Sequence, residues 1–415
     1  MRDYNFAKKF KCIKCGSEYK IEPNIYNCPK CKGNLDIEYE YDAISRVLSK
    51  EVLRKRDDFS IFRYKEFFPA KFDIEKYNKL NIGWTPLYRS EILGEVIGYK
   101  NFYIKDDTKN PSASFKDRAS IMAIIDAIES GKDLIIGAST GNAASSLACL
   151  SASLGIKNLI FIPQTAPKAK VAQLLIFGAN LVMVKGNYDS AFELSLKVTE
   201  KYGFYNRNTG FNPFTREGKK TVSYEIVEQL NWEVPDYVFV PVGDGNIISG
   251  VWKGFKDLYN ANLITNLPKI IGVQSELSSA VSDAIIERRE IKAVKATTIA
   301  DSISVDFPRD GDAAVKAIVE SNGFPIKVKD EDILKAQSLL AKCRGIFAEP
   351  AGATSLAGLI KALNNNLVEK SKISVILVTG SGLKDIDSVL KNLKEPEKIE
   401  PSIEEFDKIK GNFLK

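Results

Sequence analysis

Short apolar runs alternate with longer helical patterns from Thr85 to about Leu393, and this alternation most constrains the fold of the chain. The strand candidates are Asn158–Ile162, Asn180–Val184, Ile270–Val273 and Val375–Val378. Strands that alternate with helices pair in parallel and are buried on both faces. The pattern therefore predicts an α/β fold with parallel-rich sheets flanked by helices.

Composition limits the partners of the chain. The 415 residues are 44% apolar and 27% charged, which is typical of a globular protein with a large core. The net charge of +6 is spread along the sequence and gives no reason to expect a nucleic acid. No apolar run reaches the roughly 18 residues of a membrane span, and the first residues lack the apolar core of a signal peptide. We expect a cytoplasmic protein without a membrane partner.

The chain contains no histidine, which excludes every mechanism that needs an imidazole base. A lysine whose pKa is lowered by burial can take the role of general base instead. A proton transfer that would otherwise need an imidazole is therefore expected to use a lysine amine.

Four of the six cysteines form two pairs near the start of the chain, Cys12 with Cys15 and Cys28 with Cys31. Each pair has two residues between its cysteines, which is the spacing of tetrahedral zinc sites. Two disulfides or a metal-free ribbon are the alternatives, and disulfides are disfavoured in a reducing compartment. The pattern predicts a zinc-ribbon-like segment at 1–40 with a closed, structural site.

Lys116 lies in a segment that delivers one amine to a polar turn, Asn110-Pro111-Ser112-Ala113-Ser114-Phe115-Lys116. The Asn-Pro pair breaks the preceding strand, and Ser114 to Ile128 is predicted to be a helix. An amine placed in this way can bind an aldehyde cofactor as a Schiff base. The alternative is an ordinary solvated helix lysine.

Two small-residue loops follow predicted strands and precede predicted helices. The first is Ala138–Ser145, and the second is Gly243–Gly250 after the apolar run Tyr237–Val242. Unpaired amides and the dipole at a helix N-terminus favour anions, and glycines let the amides converge on a phosphate. Either loop alone is weak support, because such turns are common in α/β proteins.

A lysine after Asn-Pro, a Ser-Thr-Gly-Asn loop and a later glycine loop, in this order, resemble pyridoxal-phosphate enzymes of the tryptophan-synthase-β type, which have fold type II. Within that group the chain is similar to the threonine synthase family. The further segments that carry the resemblance are Gly83–Leu87, Trp252–Lys256, Ala300–Ile303, Ala348–Ala353 and Thr379–Asp385.

The resemblance implies roles for individual residues. Lys116 would bind pyridoxal phosphate covalently, Asn142 would donate to its phenolic oxygen, and Thr379 would face its pyridine nitrogen. The cofactor phosphate would be bound by the loop residues Gly243, Asp244, Gly245, Asn246 and Ile247. A hydroxyl partner such as that of Thr379 leaves the pyridine nitrogen largely unprotonated, which suits elimination and replacement better than transamination.

The resemblance also implies a substrate, O-phosphohomoserine, which would react with water to give threonine and phosphate. The residues expected to bind this phosphorylated amino acid are Ser112, Ser139, Thr140, Asn212 and Arg216. Arg216 stands one position later after Asn212-Pro213 than the family's arginine does. The alternatives are β-replacement on O-phosphoserine, as in cysteate synthase, elimination from threonine, as in threonine dehydratase, and a degenerate metabolite-binding protein.

The resemblance finally implies a homodimer in which each chain has two catalytic domains. The large domain would comprise 41–110 and 210–400, and the small domain 111–209 would close on the substrate. Residues 401–415 are expected to form a charged surface tail.

Overall fold

A computed structural model describes residues 3–386 and 396–412 of the chain. The chain divides into two compact units, Met1–Lys384 and Asp385–Lys415. Residues 1–2, 387–395 and 413–415, which belong to the predicted ribbon, large domain and tail, lie outside the described residues. The second unit contains one helix, Ile403–Ile409, whose first turn is capped by the Ser402 hydroxyl.

The strands of the first unit form three sheets, with the strand orders β2-β1-β3, β12-β11-β10-β13-β5-β4 and β8-β7-β6-β9. Their bounds are β1 (Ala7–Cys12), β2 (Glu18–Tyr19), β3 (Leu35–Tyr39), β4 (Leu87–Arg89), β5 (Phe102–Asp106), β6 (Leu134–Ala138), β7 (Lys157–Pro163), β8 (Asn180–Val184), β9 (Tyr205–Asn206), β10 (Tyr237–Pro241), β11 (Lys269–Ser275), β12 (Pro325–Val328) and β13 (Ser374–Val378).

The helices connect these strands. Their bounds are α1 (Tyr41–Val47), α2 (Lys50–Arg54), α3 (Ile74–Tyr77), α4 (Glu91–Ile97), α5 (Lys116–Glu129), α6 (Asn142–Leu154), α7 (Lys168–Ile176), α8 (Tyr188–Tyr202), α9 (Phe214–Lys219), α10 (Thr221–Gln229), α11 (Asn246–Asn260), α12 (Ala280–Ile286), α13 (Gly311–Glu320), α14 (Asp330–Arg344), α15 (Pro350–Asn364) and α16 (Ile403–Ile409). Short 3-10 helices lie at Ile61–Phe67, Asp107–Lys109, Asp301–Ile303, Gly382–Lys384 and Lys410–Asn412.

The predicted parallel α/β architecture is confirmed. All ladders of the four-stranded sheet are parallel, and the six-stranded sheet is parallel except for its edge pair β4–β5. The four predicted strands correspond to β7, β8, β11 and β13, and the predicted helix at Ser114 to Ile128 corresponds to α5.

Strand β10 shows why its sequence is apolar without alternation. Val238 and Val240 pack into one hydrophobic cluster, whereas Tyr237 and Phe239 pack into another. The sheet is therefore covered on both faces, and every side chain of the strand is buried.

The strands of the six-stranded sheet come from residues 87–106 and 237–378, and those of the four-stranded sheet from residues 134–206. Helices α5 and α9 pack so closely that a Cβ on Gly218 would lie 1.7 Å from the backbone oxygen of Arg118.

The division into a large and a small catalytic domain stays a prediction.

A buried charge network anchors the first turn of α5. The Arg118 guanidinium contacts Asp107 at 2.7 Å, and its other nitrogens bind Glu225, which also contacts Lys105 at 2.7 Å. These side chains are almost entirely inaccessible to solvent, so their charges compensate one another in a medium of low dielectric. The network fixes α5 relative to β5 and α10.

Among the described residues, no helix is both long and apolar enough to span a bilayer.

Candidate active site

A cavity of about 610 Å³ lies where the loops that follow several parallel strands converge. The loops after β6, β9, β10 and β13 contribute Ser139, Arg207, Gly243 and Thr379 to its wall. Ligands of open α/β sheets bind outside the carboxyl ends of the strands, so this cavity is the candidate active site.

Lys116 is the first residue of α5, and its side chain lines the cavity. The turn before it is tied to the loop after β13, because Phe115 N donates to Thr379 O (2.9 Å) and Ser381 N donates to Ala113 O (3.0 Å). These two backbone hydrogen bonds, together with the start of α5, therefore fix the position of Lys116.

Desolvation lowers the pKa of the Lys116 amine to about 8, although the carboxylate of Glu349 acts in the opposite direction. Charge repulsion from Arg207 and Lys384 contributes to this lowered value, while the carboxylate of Asp244 opposes it. A larger fraction of this amine is neutral at physiological pH than of a solvated lysine, and only the neutral amine attacks an aldehyde.

Asn142 begins α6 and lines the cavity near Lys116. Its amide nitrogen donates to Glu349 Oε1 (2.8 Å) and to Ser302 Oγ (3.3 Å). Burial raises the pKa of Glu349 above its usual value. Glu349 is therefore a further polar group of the cavity, one that the sequence interpretation named only as part of a motif.

The loop from Gly243 to Ile247 forms a backbone cradle at the N-terminus of α11. Gly245 has a φ of +91°, and a Cβ there would lie 2.6 Å from the backbone oxygen of Asp310. A Cβ on Gly243 would lie 2.8 Å from Ile303 Cα. The loop thus requires glycine at both positions. Its amides lie at the N-terminus of α11, and the N-terminus of a helix attracts phosphate.

Asp244 lies in the middle of this cradle, where a carboxylate would repel a phosphate. One of its carboxylate oxygens accepts from Arg309 N (2.9 Å), and burial raises its pKa. The carboxylate therefore has a backbone donor of its own.

Lys219 also lines the cavity. Its ammonium group donates to the side-chain oxygen of Asn246 in the cradle. Desolvation, with the nearby positive charges of Lys116 and Arg207, moves its pKa well below the usual value. The other buried lysines of the described residues contact carboxylates: Lys105 with Glu225, Lys220 with Glu217, and Lys253 with Asp36.

The structure brings most of the predicted site residues to one place. Lys116, Asn142, Ser139, Thr140, Gly243, Asp244, Gly245, Asn246, Ile247 and Thr379 all line the cavity. Each follows a strand or begins a helix, which is why local sequence patterns could identify them.

Ser112 and Asn212 are not among the residues that line the cavity. The Ser112 hydroxyl donates to Asp117 Oδ1 (2.5 Å), so it connects the turn before α5 to the first turn of that helix. Asn212 donates to Asn206 O (2.7 Å) and accepts from Phe214 N (2.9 Å). Both side chains are used to hold backbone turns.

Arg216 is likewise not brought to the cavity, in contrast to its expected role as a substrate ligand. Its guanidinium donates to both carboxylate oxygens of Asp310, at 2.7 and 2.8 Å, and to Leu35 O at 3.0 Å. Only 3% of its surface is exposed, and its charge is already compensated. The arginines of the described residues that do line the cavity are Arg207 and Arg309.

The four N-terminal cysteines come together on the three-stranded sheet. Their sulfur atoms all lie within 4.8 Å of one another, with Cys12 Sγ 3.4 Å from Cys31 Sγ and Cys15 Sγ 3.6 Å from Cys28 Sγ. These distances are far above a disulfide bond and close to the roughly 3.8 Å that separates thiolates around a tetrahedral zinc. The donor set fits a closed metal site.

The turn that holds Cys31 also contacts a wall of the cavity. Asn34 Nδ2 donates to Arg309 O (2.7 Å) and to Asp310 Oδ1 (2.8 Å). Asp310 in turn accepts from Asn246 Nδ2 (2.7 Å). A chain of hydrogen bonds therefore joins the cysteine-bearing sheet to the backbone cradle.

Residues 79–380 match the family described as "Pyridoxal-phosphate dependent enzyme". The chain is 40% identical to the threonine synthase of Methanocaldococcus jannaschii, over 94% of this chain and 96% of that protein. It is 35% identical to the threonine synthase of Methanosarcina acetivorans, over 95% of this chain and 96% of that protein. The structure of threonine deaminase isoform 2 from Solanum lycopersicum is similar with a TM-score of 0.65 and 25% identity, covering 74% of this chain and 81% of that one.

The lowered pKa of Lys116 predicts its pattern of chemical labelling. In cofactor-free protein, the rate of acetylation of Lys116 by acetic anhydride should rise with pH and level off above about pH 8, because the neutral amine is the nucleophile. Mass spectrometry of the Lys116 peptide, with an added model lysine peptide of pKa about 10.4 as internal standard, provides the measurement. Parallel rises for Lys116 and the standard up to pH 10 would contradict the assigned environment.

Proposed function

Because the chain belongs to the threonine synthase family of pyridoxal-phosphate-dependent enzymes, we propose that it converts O-phosphohomoserine and water into threonine and inorganic phosphate. Similarity over nearly the full length of this chain and of its relatives supports the proposal most strongly. The convergence of Lys116 and the glycine cradle in one cavity supports it independently.

The residues of the cavity fit pyridoxal phosphate. Lys116 supplies a partly neutral amine for the aldehyde, and the cradle from Gly243 to Ile247 supplies amides at a helix N-terminus for the phosphate. Lys219 adds a positive charge or a donor beside Asn246. We assign Asn142 to the phenolic oxygen and Thr379 to the pyridine nitrogen.

Pyridoxal phosphate, when bound, withdraws electrons from the substrate carbon that carries the amino group. The residues of the chain then have to move protons. Lys116, when its amine is free, would be a base of suitable pKa to remove and return protons at Cα and Cβ of the substrate. No histidine is available for this task, and none is needed.

Thr379 would favour elimination and replacement reactions over transamination. A hydroxyl leaves a pyridine nitrogen largely unprotonated, whereas a carboxylate would keep it charged and strengthen electron withdrawal. The weaker withdrawal still permits elimination and addition of water, but disfavours full transfer of the amino group. Thr379 is 6% exposed, so bulk water would have little access to a pyridine nitrogen beside its hydroxyl.

The substrate carries a carboxylate and a phosphate, and both must exchange water for donors of the cavity. Ser139 and Thr140 lie in the loop before α6, beside the helix N-terminus, and we assign them to the anionic groups of the substrate. Ser112, Asn212 and Arg216, with the contacts described above, hold the walls of the site instead.

Two rival reactions use the same cofactor chemistry. One is β-replacement on O-phosphoserine with sulfite, and the other is deamination of threonine. The similarity to a threonine deaminase structure concerns the fold, while the more extensive sequence similarity favours threonine synthase.

Product analysis distinguishes these reactions. Holoenzyme given O-phosphohomoserine should release threonine and phosphate in equal amounts, with much lower turnover of O-phosphoserine plus sulfite and of threonine. Lys116→Ala should lower the rate by at least about 100-fold, because a general acid–base is lost. Lys335→Ala, at a side chain that is 74% exposed, is the matched control and should retain the rate.

Preferential turnover of O-phosphoserine with sulfite would contradict the proposal and indicate β-replacement. Preferential turnover of threonine would contradict it and indicate deamination. Absence of turnover with all three, in protein that contains the cofactor, would leave only metabolite binding.

We also propose that Cys12, Cys15, Cys28 and Cys31 hold one structural zinc ion. Four thiolates fill a tetrahedral site, so no coordination position remains for catalysis. The three-stranded sheet is small, and metal binding would contribute to its folding free energy. The same four free thiols agree with the expected reducing, cytoplasmic environment.

Elemental analysis tests the metal site. Protein purified with reductant and zinc should contain about one zinc per chain, and Cys28→Ser should lose it and unfold at a lower temperature. Cys343→Ser, at a cysteine outside the cluster, should keep the zinc. Folded wild-type protein without zinc under these conditions would contradict the proposal.

The family resemblance further supports a homodimer with a large domain, 41–110 and 210–400, and a small domain, 111–209, that closes on the substrate. Closure would exclude water from the cavity and strengthen its polar contacts.

A further inference from the structure

Arg207 follows β9, the edge strand of the four-stranded sheet. Its backbone nitrogen donates to Ile136 O (2.8 Å), which places it beside the end of β6 and the loop that begins at Ser139. Both Arg207 and Thr209 line the cavity. The hydrogen bond to β6 therefore fixes the backbone position of Arg207 relative to the four-stranded sheet.

The Arg207 guanidinium contacts only neutral hydroxyls among the described residues. It donates to Ser120 Oγ (3.1 and 3.3 Å) and to Thr209 Oγ1 (2.9 Å), and it takes part in no ion pair there. Its residue surface is 2% exposed. Arginine keeps its charge in proteins, and a buried charge without a partner is costly.

Comparison with the other buried arginines shows how unusual this is. Each of the others contacts a carboxylate: Arg63 contacts Glu228, Arg118 contacts Asp107 and Glu225, and Arg216 contacts Asp310. Their carboxylates raise the pKa of these three groups, whereas burial lowers that of Arg207 to about 10. Arg207 is thus a buried cation at a cavity wall without an ion-pair partner among the described residues, although the Asp117 carboxylate acts on it from a longer distance.

The cavity has a second basic side chain that contacts no carboxylate of the described residues, but it belongs to a different part of the wall. Lys219 contacts Asn246 of the backbone cradle, which suits the cofactor phosphate. Arg207 lies on the four-stranded sheet, next to the loop at the N-terminus of α6. Two phosphates, one from the cofactor and one from the substrate, would therefore meet separate basic side chains.

We propose that Arg207 binds the phosphate group of the substrate. This assignment rests on the proposed function, which supplies a phosphorylated amino acid as the ligand. An arginine fork offers paired donors to phosphate oxygens, and the Ser120 and Thr209 hydroxyls hold the fork without compensating its charge. The role expected for Arg216 thus passes to an arginine nine positions earlier in the chain.

A matched pair of unreactive amino acids tests the assignment by equilibrium binding. The phosphonate 2-amino-5-phosphonopentanoate has the chain length of O-phosphohomoserine, and norvaline has the same carbon chain without the phosphonate. Binding of each to holoenzyme is measured through the absorbance change of the cofactor. Arg207→Gln should weaken phosphonate binding about 10- to 100-fold and norvaline binding less than about 2-fold, because only the charged contact is removed.

Two further variants make the test specific. Arg207→Lys should recover part of the phosphonate affinity, and it covers the case in which Arg207→Gln does not fold. Arg309→Gln removes another arginine of the cavity wall, but one that already contacts Asp189 at 2.9 Å. It should lose less phosphonate affinity than Arg207→Gln.

Equal losses for phosphonate and norvaline in Arg207→Gln would overturn the assignment in favour of a structural role. So would an unchanged phosphonate affinity, a larger loss in Arg309→Gln, or a wild-type protein that does not prefer the phosphonate over norvaline. A wild-type protein that binds the phosphonate through Arg207 but releases no threonine from O-phosphohomoserine would refute the proposed function alone. Threonine production with phosphonate binding independent of Arg207 would refute the assignment alone.

Discussion

The carboxylate of Asp310 connects more parts of the site than any other contact described above. It accepts from Arg216 at 2.7 and 2.8 Å, from Asn246 at 2.7 Å and from Ser249 at 2.9 Å, and one of its oxygens also accepts from Asn34. It is 1% exposed, so these donors replace its hydration. Loss of this carboxylate would leave Arg216 without its main counter-ion and release the first residue of α11, a combination that typically costs about 3 to 5 kcal/mol.

The two larger sheets divide the work of the site. The six-stranded sheet carries the backbone cradle after β10 and Thr379 after β13, whereas the four-stranded sheet carries Ser139 and Arg207. The turn before Lys116 is hydrogen-bonded to the loop of Thr379. In the proposed function, the groups assigned to the cofactor phosphate and to the substrate phosphate therefore follow strands of different sheets.

Local patterns in the sequence predicted Lys116, Asn142, Thr379 and the cradle, because each lies where a strand ends or a helix begins. The fate of Arg216 could not be predicted in this way. Its partner Asp310 is 94 residues away in the chain, and only the folded packing decides whether a helical side chain points to a cavity or to a carboxylate. A shift of one residue turns a side chain on a helix by about 100°.

The sequence interpretation missed Arg207. It lies in Asn206-Arg207-Asn208, which is not one of the segments that carry the family resemblance. What distinguishes Arg207 is the lack of a carboxylate contact in a buried place, a property that the sequence does not contain. Lys219 is the strongest alternative to Lys116 as the lysine that binds the cofactor covalently, because it is a second amine of the same cavity with a strongly lowered pKa.

The central claim is that Lys116 alone binds the cofactor covalently, and borohydride reduction of the holoenzyme followed by peptide mapping tests it most directly. The account predicts one pyridoxyl group per chain, located on the peptide that contains Lys116. It also predicts that Lys219→Gln retains this adduct and that Lys116→Ala loses it. A pyridoxyl group on Lys219 in the wild-type protein, or its persistence in Lys116→Ala, would contradict the account.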